Sequence, residues 1–267
     1  MNVLVVGAGA MGRWFAGAVD CEVAFADANP EAAVDAAAEV GGRAVALETD
    51  ESFTAVCVAV PIPAAADAIE EHAGKAESAL VDVTGVMAAP VAAMAEHAPD
   101  RERLSLHPLF APANAPGNVA VVADDEGTTT GHLLSALRAD GNRLVETTPA
   151  EHDEAMSTVQ AGAHAAVLAF ALAADPVPEG LRTPVYEQFA DLVETVTNGD
   201  PRVYADIQSA FDGAEDVATA ARRVADADPE AFERLYDEAG DEEAREWETD
   251  EEEARDEGEA RDEEEGR

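Results

Sequence analysis

The stretch that decides the fold is residues 2–12, NVLVVGAGAMG. A short apolar run, typical of a buried parallel strand, leads directly into Gly7, Gly9 and Gly12, which have G-x-G-x-x-G spacing and open a helical pattern. In such a loop the first glycine permits a tight turn and the second lets the backbone approach a pyrophosphate. The third lets the helix pack closely on the strand. The stretch therefore predicts the first βα unit of a dinucleotide-binding domain.

The residues that follow the loop favour NAD as the dinucleotide. A second β-rich run ends at Asp27, about 20 residues after Gly7, where an acidic side chain binds the ribose hydroxyls. The stretch DANPE there has no Arg or Lys for the extra phosphate of NADP, and a glycine-rich turn without a ligand is the alternative. The candidate cofactor-binding residues are Gly7, Gly9, Ala10, Met11, Gly12, Asp27, Val60, Pro61 and Thr84.

The pattern of strands and helices predicts two folded domains and a tail. Over residues 1–147, β-rich runs alternate with Ala-rich helical patterns, which predicts an α/β domain with a Rossmann-like, doubly wound parallel sheet. Residues 148–239 contain helical segments and no β-rich run, so an all-helical domain is expected to follow. Residues 240–267 are dominated by acidic side chains, and we expect a disordered tail.

The charge balance excludes two classes of partner. The 267 residues include 57 acidic and 16 basic ones, for a net charge of -41. This field repels nucleic acid and anionic membrane surfaces. It also repels itself, but at about 1 M salt the screening length falls to roughly 3 Å, so the composition predicts a halophilic protein. With 47% hydrophobic residues in periodic blocks, the chain does not resemble an acidic disordered protein.

The cysteines and apolar segments predict a soluble, cytoplasmic protein. Cys21 and Cys57 cannot form a disulfide framework. The longest apolar stretch, residues 161–174, is shorter than the roughly 20 residues that a membrane span needs, and no signal peptide is recognisable.

A histidine in an unusual place is the first candidate catalytic residue. The run RLSL ends on His107, and Pro108 follows at once, which bars a helix there. A near-neutral pKa suits a general base, and the carboxyl end of a strand in an open α/β sheet is where ligands bind. The alternative is a polar residue that simply ends a strand.

The helix that opens the second domain carries further candidates. Thr148 as N-cap, Pro149 at the first helical position and Glu151 three residues after the cap predict the helix start. Along this helix, residues four positions apart lie on one face, which carries both polar and apolar side chains: His152, Met156, Gln160 and His164. This face is called the polar stripe below. The alternative is surface histidines at helical spacing by chance. Metal binding is not expected, because the outer two histidines lie about 18 Å apart along a helix and no cysteine joins them.

Together, GAGAMG, HPLFAP, EHDEAMSTVQAGAH, TPVYEQFADL and DPRVYADIQ resemble the prephenate dehydrogenase family over about residues 1–212. The resemblance implies NAD-dependent oxidative decarboxylation of prephenate to 4-hydroxyphenylpyruvate in tyrosine biosynthesis, and a homodimer formed by the helical domain. It implies that His107 accepts the proton and that Gln160, His164 and His152 line the substrate side. Asp153 is expected to be a structural acid in the first turns of its helix, and the acidity suggests a haloarchaeal member.

The chain departs from this family at two places. Members commonly have TSVK after the fifth strand, where the serine supports the catalytic histidine, whereas here Gly85 and Met87 replace the serine and the lysine. Thr195 stands where an arginine for the substrate carboxylate is expected, which leaves Arg182, Arg202 or an arginine of a partner subunit. The alternatives are a dehydrogenase of arogenate or another small hydroxy acid, and a non-catalytic dinucleotide-binding regulator.

Overall fold

The computed structural model describes residues 1–241. Its eight strands form one sheet in the order β3-β2-β1-β4-β5-β6-β7-β8, and every neighbouring pair is parallel except β6 and β7. The strands are β1 Asn2–Val6, β2 Glu22–Ala26, β3 Arg43–Ala44, β4 Phe53–Val58, β5 Ala76–Val83, β6 Glu102–Pro108, β7 Asn118–Asp125 and β8 Arg143–Glu146. The predicted doubly wound, mostly parallel sheet is confirmed.

Helices connect most of the strands and make up the rest of the described chain. In the sheet region they are α1 Ala10–Ala18, α2 Pro30–Val40, α3 Ala65–His72, α4 Ala88–His97 and α5 Thr128–Ala139. After β8 they are α6 Pro149–Met156, α7 Ala163–Ala173, α8 Pro184–Thr197, α9 Pro201–Ala210, α10 Gly213–Ala225 and α11 Pro229–Gly240. A π-helix, Ser157–Gly162, joins α6 to α7. The absence of strands after β8, as far as residue 241, agrees with the predicted helical region.

The central strand β1 shows why the first stretch of sequence decides the fold. Val3 and Val5 belong to the apolar cluster on one face of the sheet, whereas Leu4 and Val6 belong to the cluster on the other face. Successive side chains point to opposite faces, so a strand covered on both sides needs an unbroken apolar run. At about 25 cal/mol per Å², burying each of these side chains contributes roughly 1.5–3 kcal/mol.

Two strands differ from the sequence prediction. β6 continues through His107 to Pro108, which pair with Ala120 and Val119 of the antiparallel β7. Proline cannot donate a hydrogen bond, but its carbonyl can still accept one and its φ is compatible with an extended strand. The pairing of the two strands therefore continues past Pro108, where the Leu109 N–H donates to the Asn118 carbonyl at 2.9 Å. β3 has only two residues, too few for a periodic signal, and the sequence did not predict it.

By internal packing the chain divides into two compact units, Met1–Val217 and one that begins at Ala218. The predicted boundaries at residues 147 and 239 remain predictions. The predicted acidic tail lies outside the described residues from 242 onward.

One helical run, Pro149–Ala173, is long and apolar enough to cross a membrane by length and composition, a test that a soluble protein's core helix also passes. It is longer than the apolar stretch read from the sequence because α6, the π-helix and α7 are continuous.

Candidate active site

The glycine loop has the geometry of a phosphate-binding turn. Gly7 has φ +103°, and a Cβ there would lie 2.2 Å from the Ala59 carbonyl oxygen. A Cβ on Gly12 would lie 2.0 Å from the Gly7 carbonyl oxygen, so helix and strand pack too closely for a side chain. Gly9 differs, because a Cβ there would meet no atom of the described residues within 4 Å. The loop is therefore closed at its first and third glycines and open at the second, beside the N-terminus of α1.

The other candidate cofactor residues share this edge of the sheet. Asp27 directly follows β2, and its carboxylate accepts the Ala8 N–H and the Asn29 N–H, both at 2.8 Å. Val60 and Pro61 follow β4, which is parallel to β1 and next to it. The strand order reverses between these two strands, the point at which open α/β sheets bind ligands.

The loop after β5 brings a buried carboxyl group close to the candidate residue Thr84. The Thr84 hydroxyl donates to Asp82 Oδ2 at 2.7 Å. Burial raises the pKa of Asp82 to about 7, although the hydrogen bond from Thr84 opposes the shift. Asp82 is fully buried, so ionising it in the folded protein is costly.

His107 lies at the carboxyl end of β6, which is parallel to β5, and therefore on the same edge as the glycine loop. The side chain is buried, and its two ring nitrogens have different partners. Nδ1 lies 2.8 Å from His152 Nε2, and Nε2 lies 3.3 Å from the side-chain nitrogen of Gln160. Burial, reinforced by His152 and opposed by Asp153, lowers the pKa of His107 to about 3. His107 is therefore a neutral imidazole over the physiological pH range.

His152 and Asp153 connect His107 to the backbone of another helix. His152 is buried, and its Nδ1 lies 2.8 Å from Asp153 Oδ1. The Asp153 carboxylate also accepts the N–H groups of Met87 (3.0 Å) and Ala88 (3.1 Å) at the start of α4. Burial alone would raise the pKa of Asp153, but the hydrogen bonds from His152 and these two amides outweigh it and lower the pKa.

These contacts give His152 and Asp153 partners that the sequence-based expectations did not include, and those expectations remain predictions. His152 was expected to line the substrate, yet protein groups occupy both of its ring nitrogens. Asp153 was expected to act as a structural acid in its own helix, whereas its carboxylate lies against the N-terminus of α4. The contact of His152 with His107 and that of Asp153 with α4 could not be read from helical spacing, because these partners are 45 and 65 or 66 positions apart in sequence.

The π-helix keeps the predicted polar stripe together. In an uninterrupted α-helix each four-residue step drifts by about 40°, which accumulates to about 120° between His152 and His164. The wider turn of a π-helix rotates less per residue and offsets this drift. Gln160 reaches His107, and His164 contacts Tyr204 edge to face with ring centroids 4.7 Å apart.

Two polar atoms on this stripe lack hydrogen-bond partners. Gln160 Oε1 and His164 Nδ1 are both inaccessible to solvent, and within residues 1–241 neither has a partner. Burial also lowers the pKa of His164. These atoms are available to hydrogen-bond a bound molecule, and Gln160 and His164 remain the proposed substrate-lining residues.

Helix α9 covers the stripe and contributes a residue that the sequence-based prediction missed. Tyr204 contacts His164, and the Gln208 side chain donates to the Ala161 carbonyl at 2.9 Å. An apolar cluster anchors the helix: Val86, Met156, Ala161, Ile207 and Phe211, with Ile62 packed against it. Tyr204 lies within DPRVYADIQ, a motif that had indicated the family without assigning a role to the tyrosine.

Within residues 1–241, no hydrogen bond joins Arg182 or Arg202 to His107, whose ring nitrogens contact His152 and Gln160. Arg182 is exposed, and its Nε donates to the Val177 carbonyl. Arg202 is exposed in the first turn of α9, and it lies about 200° around that helix from Tyr204. Thr195 is exposed on α8, where its hydroxyl donates to the Asp191 carbonyl. Among residues 1–241 there is also no group of three or more His, Cys, Asp or Glu side chains that could hold a metal ion.

Comparison with known proteins identifies relatives that span most of this chain. Residues 16–124 match the family model for the nucleotide-binding domain of prephenate dehydrogenase. A 4-amino-4-deoxyprephenate dehydrogenase from Streptomyces pristinaespiralis is 32% identical over 232 residues, which cover 79% of this chain and 78% of that protein. A probable arogenate/prephenate dehydrogenase from Methanocaldococcus jannaschii is 24% identical over 61% of this chain and 40% of that protein.

Solved structures show the same fold. The prephenate dehydrogenase of Aquifex aeolicus, in complex with hydroxyphenyl propionate and NAD+, superposes with a TM-score of 0.68. The alignment covers 96% of this chain and 98% of that chain at 16% sequence identity. The arogenate dehydrogenase of Synechocystis gives a TM-score of 0.58 and covers 90% of this chain and 98% of that one, also at 16% identity.

Proposed function

Because this chain belongs to the prephenate dehydrogenase family, we propose that it is an NAD-dependent enzyme that oxidises and decarboxylates prephenate to 4-hydroxyphenylpyruvate. The observation that carries the proposal is His107, a buried neutral imidazole on the same sheet edge as the open glycine loop. The proposed cofactor loop after β1 and the proposed proton acceptor at the end of β6 thus lie on the same carboxyl edge of one sheet.

The loop fits the pyrophosphate of NAD. Space beside Gly9 and the N-terminal amides of α1 would accommodate the phosphates, and the Asp27 carboxylate beside the loop would bind the ribose hydroxyls. Ala10, Met11, Val60, Pro61 and Thr84 would complete the cradle. When bound, NAD+ supplies the acceptor for the hydride of the ring carbon that bears the hydroxyl.

His107 would act on the ring hydroxyl. Its Nε2 lone pair would accept the hydroxyl hydrogen, taking up the proton as the carbon–oxygen bond gains double-bond character. To reach Nε2 the hydroxyl must displace the Gln160 amide, which lies there in the free protein. Loss of the ring carboxylate as carbon dioxide then leaves its electron pair in the ring, and the proton returns to the phenolic oxygen. The substrate loses one hydride and one carbon dioxide in all, with no net proton release.

The Streptomyces relative supports a second candidate substrate. That protein is named for 4-amino-4-deoxyprephenate, in which an amino group replaces the ring hydroxyl. His107 could accept a hydrogen bond from that amine, and the unpartnered oxygen of Gln160 could accept another. Arogenate differs instead at the side chain, where an amine replaces the keto group.

The preferred substrate can be identified by measuring NADH formation with prephenate, arogenate and 4-amino-4-deoxyprephenate, each in molar potassium chloride. We expect the highest kcat/KM with prephenate. The highest value with the amino compound would instead establish the second candidate. No turnover with any of them, together with tight NAD binding, would leave the regulator as the remaining explanation.

The helical region supports dimerisation as part of the proposal. Only 22% of the apolar window in Pro149–Ala173 is buried within the chain. Leu172, Leu181 and Val185 are 89%, 73% and 65% exposed. Apolar side chains exposed to this extent favour a protein interface. We expect a homodimer in a salty cytoplasm, with no membrane or nucleic acid partner. Sedimentation equilibrium should show a dimer that Leu172→Glu weakens, and a monomeric wild type would contradict it.

A further inference from the structure

We infer that His152 and Asp153 are positioning residues, which hold the His107 imidazole with its proton on Nδ1 and its Nε2 lone pair directed at the substrate. The inference rests on the proposed role of His107 as proton acceptor. It assigns to the pair a task that the sequence-based prediction had given to neither residue.

The hydrogen-bond partners determine which nitrogen carries each proton. An ionised carboxylate can only accept, so Asp153 accepts from His152 Nδ1 as well as from the two backbone amides of α4. When Nδ1 carries the one ring proton of His152, its Nε2 can only accept, and the partner at 2.8 Å that donates to it is His107 Nδ1. Neutral His107 in turn keeps an unprotonated Nε2. The contact from the Gln160 amide, a donor at 3.3 Å, fits an acceptor at that atom.

Backbone groups hold the carboxylate at the end of this chain of hydrogen bonds. Asp153 accepts two N–H groups at the first turn of α4, a position that also favours a negative charge. His152 and Asp153 are held in α6 by the capping box between Thr148 and Glu151. His107 is therefore oriented by the helical segment that follows the sheet.

The loop after β5 has a glycine, Gly85, at the position near His107, so no side chain from that position contacts the ring. A Cβ added to Gly85 would lie 3.8 Å from His107 Nε2 and 3.1 Å from Ile62 Cδ1. A side chain at this position would approach the nitrogen that faces the substrate, whereas His152 holds the opposite nitrogen. His152 thus fixes the ring and leaves Nε2 accessible.

The arrangement also stabilises His107 while it carries the extra proton. With both nitrogens protonated, His107 still donates from Nδ1 to His152, and the Asp153 charge lies at the far end of the same chain. A ring with the opposite tautomer would present N–H to the substrate hydroxyl and could not accept its proton. Loss of the His152 contact should therefore slow turnover and leave binding largely intact.

Two substitutions of His152 separate positioning from mere packing. Gln can keep an acceptor at the place of Nε2, and so retains the contact with His107. Asn can keep a donor at the place of Nδ1, and so retains only the contact with Asp153. We expect His152→Asn to lower kcat at least about tenfold, as for other groups that orient a functional histidine, with KM and the NAD Kd within about twofold of wild type. His152→Gln should retain most of kcat.

His72→Gln is the matched control, because His72 is equally buried and bonded elsewhere, to Lys75. It should leave kcat unchanged. If both variants lost kcat equally, and in proportion to the fall in their melting temperatures, His152 would have only a packing role. An increase in KM with unchanged kcat would show direct substrate contact. Either result would overturn the inference.

A tautomer measurement tests the inference without any substrate, so its failure is distinguishable from failure of the proposed function. Nitrogen-15 NMR of the histidine rings should show His107 protonated on Nδ1 and unprotonated on Nε2 in the wild type. The same state should persist in His152→Gln and be lost in His152→Asn. A wild-type His107 protonated on Nε2 would contradict the inference, whatever the enzyme's substrate.

Discussion

Replacing Asp82 by asparagine should change how the stability of the protein depends on pH. Asp82 is fully buried in β5, and burial raises its pKa from 3.8 to about 7. Between these two values the folded state binds a proton that the unfolded state has released. Stability from this group is therefore complete below about pH 4 and is lost as the pH rises through about 7. An asparagine side chain cannot ionise, so the variant avoids that loss.

The size of the effect follows from the two pKa values. A difference of about three pKa units corresponds to roughly 4 kcal/mol in total, of which about 2.5 kcal/mol falls between pH 5 and pH 8. Asparagine retains an oxygen that can accept the Thr84 hydroxyl, so the hydrogen bond at 2.7 Å is preserved. All other titratable groups are common to the two proteins, and the difference between them isolates Asp82.

The assay is denaturant unfolding of wild type and Asp82→Asn in molar potassium chloride, at steps of about one pH unit between pH 5 and pH 8. The free energy of unfolding of the variant should rise relative to wild type by about 2.5 kcal/mol across this range. A difference that stays constant with pH would refute the reasoning, because it would mean that Asp82 is ionised throughout or exposed to solvent.

Four further predictions concern the cofactor loop and His107. Gly9→Ala should keep the wild-type melting temperature, because its Cβ meets open space, yet raise the NAD Kd at least about tenfold. Gly7→Ala should lower the melting temperature, because its Cβ would overlap the Ala59 carbonyl oxygen and disrupt the loop. Equal melting temperatures for the Gly9 and Gly7 variants would argue against this geometry. Asp27→Ala should weaken NAD more than NADP in equilibrium titrations, and an unchanged preference would remove the ribose role. Protonation of His107 should not lower kcat/KM as the pH falls to about 5.5, because the lowered pKa keeps this imidazole neutral. A histidine with the usual pKa of about 6.5 would lower kcat/KM about tenfold at that pH.

The sequence predicts the sheet well, because its signals are local. The apolar run of β1 and the three glycines after it determine a βα unit within residues 2–12, and the structure reproduces that unit. His107 was expected at the carboxyl end of a strand on the same edge, and it lies there. A two-residue strand such as Arg43–Ala44 has no period to detect and depends on its neighbour β2.

The site could be predicted only in part, because its key contacts join distant residues. Asp153 bonds to Met87, 66 positions earlier, and no pattern in the sequence links the two. The π-helix also packs against a residue distant in sequence, Gly213, where a Cβ would lie 1.8 Å from the Ser157 carbonyl oxygen. The spacing of His152, Gln160 and His164 predicted one stripe, but it could not show that a π-helix maintains it or that His152 contacts His107.

The most direct test of the proposed function is turnover of prephenate by wild type and His107→Asn, measured as NADH formation with NAD+ in molar potassium chloride. Wild type should form NADH, and the variant should be slower by about 10²- to 10⁴-fold with an NAD Kd near the wild-type value. Equal rates for the two proteins would contradict the assignment of His107 as the proton acceptor.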